Sequence, residues 1–353
     1  NMILVKTIVN DADTVVFNFD TGAPVGGVLS DSLAKRYKDI RQLKIAFANG
    51  KDIKYSNIDS TKILVDFITH NVDNNLQLLG IRNASKYRYW SINYDDLIFQ
   101  ILPKESVIDT TDALVFDFEM SMNGICMIIP IAMHREGKYF NQNLKLMLDT
   151  GCPFAFLMSE PSNELQKFVE SIDYFDLQRL QPKELKNSRD SRFFTLDSIS
   201  FSGCIIKDIH SVFNYTISFD KYLKNGTTGL LGMEIMKHFN TIIDFDRKKV
   251  ILKSHKKTFN YELAIFTNAL GFQVRNKDKV VTSIERGHNA QKAGLKLGDM
   301  VIRINELNLA NLTHSNLDSL RLLKGGHKMK VGILRDGKQS NVEFTTKTTL
   351  KQL

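Results

Sequence analysis

Two acidic tripeptides carry the residue types that could do chemistry together. Asp20-Thr21-Gly22 lies in VVFNFDTGAPVGGVLS (15–30), and Asp149-Thr150-Gly151 lies in NLKLMLDTGCPFAFLMS (143–159). Taken singly, Asp-Thr-Gly reads as a turn, in which the aspartate bonds its own backbone and glycine supplies positive φ. Here each copy follows one apolar strand-like run and precedes another, so each carboxyl is expected inside the protein rather than at an exposed hairpin tip. A buried carboxylate is costly unless it is paired or hydrogen-bonded. Two of them in matching contexts suggest that each answers the other, and the chemistry open to such a pair is proton transfer.

The elements that must position them are mostly strands. VVFNF (15–19), KIAFA (44–48), TKILVDFI (61–68), ALVFDFEM (113–120) and TIIDF (241–245) are rich in β-branched and aromatic residues and bounded by Gly, Asn, Asp or Ser. Helical spacing appears in SDSLAKRYKDI (30–40) and SNELQKFVESIDYFDLQRL (162–180), the latter with Ser162 or Asn163 as its cap. Strand runs with few helices predict mainly-β domains. An internal repeat divides them. Leu78-Leu79-Gly80 matches Leu230-Leu231-Gly232, and Ile92-Asn93-Tyr94-Asp95 matches Ile243-Asp244-Phe245-Asp246 with one residue of slippage between. Each copy lies downstream of one Asp-Thr-Gly. The repeated unit is therefore tripeptide, variable middle, apolar-apolar-Gly turn, strand. It predicts two lobes, residues 1–104 and 105–255, with KSHKKTFN (253–260) as the linker to a third unit, 256–353.

These residues resemble the aspartic proteases of the retropepsin and pepsin type, over about residues 1–252. The likeness rests on Asp20-Thr21-Gly22-Ala23, Asp149-Thr150-Gly151-Cys152 and the turns ending in Leu79-Gly80 and Leu231-Gly232. It implies two β-barrel lobes with a cleft between them. Asp20 and Asp149 would be the catalytic pair, facing each other across a pseudo-twofold axis and sharing a water. With both copies in one chain, a monomer would suffice. Carboxylates about 3 Å apart cannot both ionise, so one proton is shared: one member acts as base towards water, the other as acid towards the scissile carbonyl. No metal or cofactor is required. Thr21 and Thr150 would bond across the lobes, and Gly22 and Gly151 would bring N–H groups beside the carboxylates. Ala23 and Cys152 stand where pepsins usually have a hydroxyl residue that bonds the carboxylate, which predicts a milder pH optimum than that of stomach-type pepsins. AFANGKDIKY, with Asn49-Gly50 as its turn, is the candidate flap. NSRDSRFF (187–194) gives no comparable signal in the second lobe.

The last unit resembles a PDZ domain, a small α+β fold. Ala269-Leu270-Gly271-Phe272 stands at the carboxylate-binding loop, KAGLKLGDMVIRINE (292–306) matches the bacterial form, and Asp336-Gly337 marks a hairpin. The likeness implies that a peptide adds as a strand beside Phe272–Val274, that Leu270, Gly271 and Phe272 hold its terminal carboxylate, and that a helix at 314–323 forms the other groove wall. The function implied for the whole is an endopeptidase acting on a peptide or protein substrate, with a PDZ domain for recruitment. The alternative is a catalytically inactive scaffold that binds peptides through the PDZ groove. The same resemblance implies work outside the cytoplasm, with an export signal outside this chain.

Composition agrees with these expectations. The 353 residues carry a net charge of +8, spread along the chain and not interleaved with aromatics, which argues against a nucleic-acid partner. No apolar run approaches the roughly 18 residues of a spanning helix. Three cysteines without a CxxC pair argue against a disulfide framework, and eight histidines without HxxxH spacing give a metal site no support.

Overall fold

The computed structural model describes residues 3–23, 27–29, 31–37, 42–49, 54–55, 62–68, 77–81, 89–96, 98–102, 104–121, 124–159, 163–179, 191–214, 225–255, 269–274, 278–311, 320 and 323–348. Strands dominate. Strands β1 (Ile3–Val9) and β2 (Asp13–Asp20) form an antiparallel hairpin, turned by Asn10 and Asp11, whose φ values of 49° and 56° are left-handed. Asn and Asp tolerate that region better than other non-glycine residues. Strands β3 (Gly27–Val28), β4 (Gln42–Asn49), β5 (Lys54–Tyr55), β6 (Lys62–Ile68) and β7 (Leu78–Gly80) follow, and a short helix, Asp31–Arg36, lies between β3 and β4. The sheet order is β1-β2-β7-β3-β6-β4, and β4 returns to pair with β1, closing a six-stranded barrel; β5 extends the end of β4.

After β8 (Tyr89–Asn93) and β9 (Ile98–Leu102), the pattern repeats with longer strands: β10 (Ala113–Ser121), β11 (Gly124–Arg135), β12 (Lys138–Leu148), β13 (Phe156–Met158), β14 (Phe175–Arg179), β15 (Ser191–Phe201), β16 (Cys204–Asn214), β17 (Gly229–Leu231), β18 (Phe239–Asp244) and β19 (Lys249–Ser254). The order β11-β12-β17-β13-β16-β15, with β15 back on β11, is the same closed barrel. Equivalent residues hold equivalent places. Phe19 of β2 lies opposite Leu79 of β7, and Leu148 of β12 lies opposite Leu231 of β17, both in parallel pairs. On its other side each of these short strands takes an antiparallel neighbour, β3 or β13. The Leu-Leu-Gly repeats are thus the strands wedged between the chain entering each tripeptide and the chain leaving it.

The other half of the repeat joins the barrels. β8 pairs antiparallel with β18, with Ile92 opposite Thr241 and Trp90 opposite Ile243. Exchanging the two copies maps the first pair onto the second, as a twofold relation requires. The five strands β10-β19-β18-β8-β9 run continuously through this junction. Beneath it Phe19 stacks on Trp90 at 5.3 Å and packs against Phe99 at 4.6 Å. Phe19 is 1% exposed, and burying such a ring contributes about 1.5–3 kcal/mol, which anchors the strand that ends at Asp20.

Two expectations are corrected. The helix expected over 162–180 ends at Ser171, whose hydroxyl donates back to the Phe168 carbonyl at 2.8 Å. Phe175–Arg179 is strand β14, because Phe175 and Leu177 alternate inward and bury against Phe193 and Val212. The linker expected from Lys253 begins later, since Lys253 and Ser254 still belong to β19 and Lys253 pairs with Ala113. Asn49 of the expected flap turn is the last residue of β4 and pairs with Lys54 of β5. Gly50 lies outside the described residues, as does most of the helix expected at 314–323.

The last unit contains β20 (Phe272–Val274), β21 (Val281–Glu285), a short helix Asn289–Lys292, β22 (Met300–Ile304), β23 (Leu307–Asn308), β24 (Lys328–Arg335) and β25 (Lys338–Thr345). Asp336 (φ 51°) and Gly337 (φ 74°) turn the β24–β25 hairpin, as their sequence suggested. The unit has its own core, including Leu270, Phe272, Val301, Val331, Ile333 and Phe344. Buried Asp299 takes Arg335 bidentately, at 2.6 and 2.7 Å, tying the loop before β22 to β24. Nothing in the sequence announced that β21 also pairs with β14, placing Glu285 opposite Leu177 and Ser283 opposite Arg179, so one sheet runs from the second barrel into this unit. Among the described residues, no helix is long and apolar enough to cross a membrane.

Candidate active site

The two tripeptides meet at the junction of the barrels, each just beyond the strand that delivers it. Asp20 ends β2, and Asp149 follows β12, its N–H donating to the Leu231 carbonyl at 2.9 Å. The threonines turn inward, both 0% exposed, and bond reciprocally. The Thr21 N–H donates to Thr150 Oγ1 at 3.0 Å, and the Thr150 N–H donates to Thr21 Oγ1 at 2.9 Å. Each hydroxyl also donates across the junction, Thr21 to the Leu148 carbonyl and Thr150 to the Phe19 carbonyl, both at 2.8 Å. Every buried polar atom of the two threonine side chains is therefore satisfied by the opposite barrel.

This exchange brings each carboxyl against the other tripeptide. A Cβ added to Gly22 would lie 2.4 Å from Asp149 Cγ, and one added to Gly151 would lie 2.5 Å from Asp20 Oδ2. The glycines are required by close approach, since no side chain fits there. Their N–H groups serve the carboxylates of their own loops: Gly22 donates to Asp20 Oδ1 and Gly151 to Asp149 Oδ1, each at 2.8 Å, and the Cys152 N–H adds a bond to Asp149 Oδ1 at 3.1 Å. Both aspartates remain partly exposed. Burial is the largest influence on Asp149. With the charge of Asp20 and a hydrogen bond between the two carboxyls, it pushes Asp149 up to about 7, against the opposing pull of the Gly151 and Cys152 N–H groups. One acid group held protonated beside a second carboxyl is the electrostatic arrangement of a proton-sharing pair.

The residues after the tripeptides are buried. Ala23 has no hydroxyl to offer, and Cys152 Sγ is directed to the Phe154 carbonyl at 4.0 Å. Burial, followed by the charge of Asp149, pushes the Cys152 thiol far up, so it stays neutral. The turn strands act as supports. Leu79 and Leu231 are buried beside the tripeptides, Gly80 lies opposite Asp20, and a Cβ on Gly232 would fall 2.0 Å from the Phe154 carbonyl oxygen and 2.7 Å from that of Cys152. Asn49 ends β4 on the hairpin described above.

Two residues that the sequence reading passed over complete the second support. Glu234 lies in the helix Met233–Met236 directly after Gly232 and is 4% exposed. Its carboxylate accepts from His210 Nδ1 at 2.6 Å and from the His210 N–H at 3.2 Å. The available signal was a single acidic residue inside the otherwise apolar run Met233-Glu234-Ile235-Met236.

In the last unit Leu270 is buried, Gly271 has φ 71°, and Phe272 begins β20. A Cβ on Gly271 would strike the His288 ring at 2.1 Å, so this glycine is needed for both conformation and space. Ala269, where the resemblance expects glycine, is fully buried and does not adopt positive φ, so the substitution is accommodated. Among the described strands, β20 pairs with β21 and stands last in the sheet.

Comparison with known proteins covers both parts of the chain unequally. The crystal structure of aspartic proteinase from Irpex lacteus aligns with 72% of this chain and 94% of its own, at a TM-score of 0.38 and 12% identity. Human and mouse Whirlin are 32% identical over 74 residues, which is 20% of this chain and 8% of those proteins, so the likeness spans a small part of the relatives' length. The PDZ domain family model matches residues 268–346. The C-terminal part of this chain is a PDZ domain.

Proposed function

We propose that this chain is an aspartic-type endopeptidase whose working groups are Asp20 and Asp149, with the PDZ domain presenting peptide or protein substrates. The observation that carries this reading is the reciprocal placement of the two carboxyls, each lodged against the glycine of the other tripeptide. Of the pair, one carboxyl is protonated and one ionised. The ionised member takes a proton from a water, which attacks the scissile carbonyl, while the protonated member donates to the carbonyl oxygen. The tetrahedral diol collapses as a proton passes to the departing nitrogen, and the pair returns to its starting charge. Thr21 and Thr150 keep the two loops in register through this cycle, and the Gly22, Gly151 and Cys152 N–H groups hold the carboxylates in orientation. One chain supplies both halves, so the monomer is the functional unit. The domain limits that go with this reading are 1–104, 105–255 and 256–353.

A statine-containing peptide mimics the tetrahedral intermediate and provides the test. It is expected to bind the full chain at micromolar affinity or better and to lose at least 100-fold in Asp20→Asn and in Asp149→Asn. Equal binding by wild type and both variants would overturn the reading. A scaffold that works only through the PDZ groove would bind C-terminal peptides at β20 while ignoring the statine peptide.

A further inference from the structure

We propose that Glu234 and His210 form a latch that holds the Asp149 loop in register, making both positioning residues for the reaction. The inference rests on the proposed function and concerns a site that function did not require. The loop from Asp149 to Ala155 hangs on two supports. On one side are β17 and the helix after it: the Asp149 N–H donates to the Leu231 carbonyl (2.9 Å), the Gly232 N–H to the Ala155 carbonyl (2.9 Å) and the Met233 N–H to the Cys152 carbonyl (2.8 Å). On the other side is β16, where the His210 carbonyl accepts from the Ala155 N–H at 2.9 Å. Glu234 belongs to the first support and His210 to the second. Two contacts from His210, ring and backbone, converge on one carboxylate that is almost sealed from solvent. A buried charge keeps its place only while such partners remain, so the pair fastens the supports to each other with the catalytic loop between them. Nδ1 of His210 donates in this contact, because the carboxylate accepts.

The first copy of the repeat carries no carboxylate at this place in its sequence. In the first copy of the repeat, Arg82 and Asn83 follow Leu79-Gly80-Ile81 where Glu234 and Ile235 follow Leu231-Gly232-Met233. The carboxyl raised by burial, Asp149, is also the one whose loop the latch secures. Reaction rates fall about 100-fold for misplacements near 1 Å, so a loosened latch should be read in turnover before substrate binding.

The test compares wild type with Glu234→Ala and Glu234→Gln in the full chain. Active sites are titrated with the statine peptide, and kcat is expressed per titrated site. Glu234→Ala is expected to lower kcat about 10–100-fold with KM within about threefold, and Glu234→Gln, which retains shape and one acceptor, to recover part of the loss. A purely structural role would instead reduce the number of titratable sites and leave kcat per site unchanged, and that result overturns the proposal. Hydrogen exchange decides the matter independently of catalysis. In Glu234→Ala the amides of 149–156 should exchange at least tenfold faster while those of β1 and β2 are unchanged. Uniform acceleration, or none, contradicts the latch. If wild type cleaves no peptide, the proposed function fails, and the exchange result still tells whether the latch holds the loop.

Discussion

Replacing Thr21 by valine removes a hydroxyl from the most enclosed part of the site while preserving its shape. The hydroxyl makes two bonds to the other barrel, donating to the Leu148 carbonyl at 2.8 Å and accepting from the Thr150 N–H at 2.9 Å. Each such bond contributes about 1 kcal/mol net, and a buried N–H left without its partner costs about 1–3 kcal/mol more. Thr150 is 0% exposed, so water cannot readily replace the lost acceptor. The expected loss is about 3–5 kcal/mol in urea unfolding, with kcat down by about 100-fold because the two loops no longer share a reference. Thr150→Val should behave alike, losing the bonds to Phe19 and Thr21. The double variant should cost less than the sum, since parting the loops once breaks both exchanges. Thr21→Ser, which keeps the hydroxyl, is the control. If Thr21→Val costs less than about 0.5 kcal/mol and leaves kcat unchanged, the reciprocal exchange does not hold the site together.

Further outcomes follow from close approach and from charge. Gly22→Ala places a methyl 2.4 Å from Asp149 Cγ, so peptide cleavage should vanish while circular dichroism still reports the strands of both barrels. Asp149 is protonated in the folded protein at pH values where the unfolded chain has released its proton. Its contribution to stability is therefore full below about pH 4 and lost as pH rises towards about 7. Urea midpoints at pH 5 and pH 8 should differ more for wild type than for Asp149→Asn, and turnover should fall as pH passes 7 and the shared proton leaves. Gly271→Ala forces a side chain into positive φ and onto the His288 ring, so C-terminal peptide binding should weaken at least tenfold by titration calorimetry while cleavage of short peptides persists.

Local pattern was informative where a residue's type is dictated by its own backbone. Runs rich in β-branched and aromatic residues marked β2, β4, β6, β10 and β18, and Asp336-Gly337 marked its hairpin, because strand pairing and left-handed turns constrain neighbours in sequence. The repeat went further, since Ile92 and Ile243 occupy twofold-related places in the β8–β18 pair. What stayed hidden depends on partners distant in the chain. Phe175 and Leu177 continued the helical spacing of 163–171, and only the approach of Phe193 makes them a strand. The β14–β21 pairing joins backbones whose side chains carry no signal for it. His210 stands on a strand among apolar neighbours, and its meaning comes from a carboxylate 24 positions later. Cys152 was readable as a missing hydroxyl donor, but the structure assigns the main influence on Asp149 to burial and to Asp20.

If Asp20 and Asp149 work as one pair, hydrolysis of a peptide library by the full chain requires both. Products are read by mass spectrometry for wild type, Asp20→Asn and Asp149→Asn, each first shown to be folded by its unfolding transition. Cleavage by wild type is expected, with a loss of at least about 1,000-fold in either variant, within the range that one acid–base group contributes. Cleavage by either folded variant at the wild-type rate would contradict the pairing.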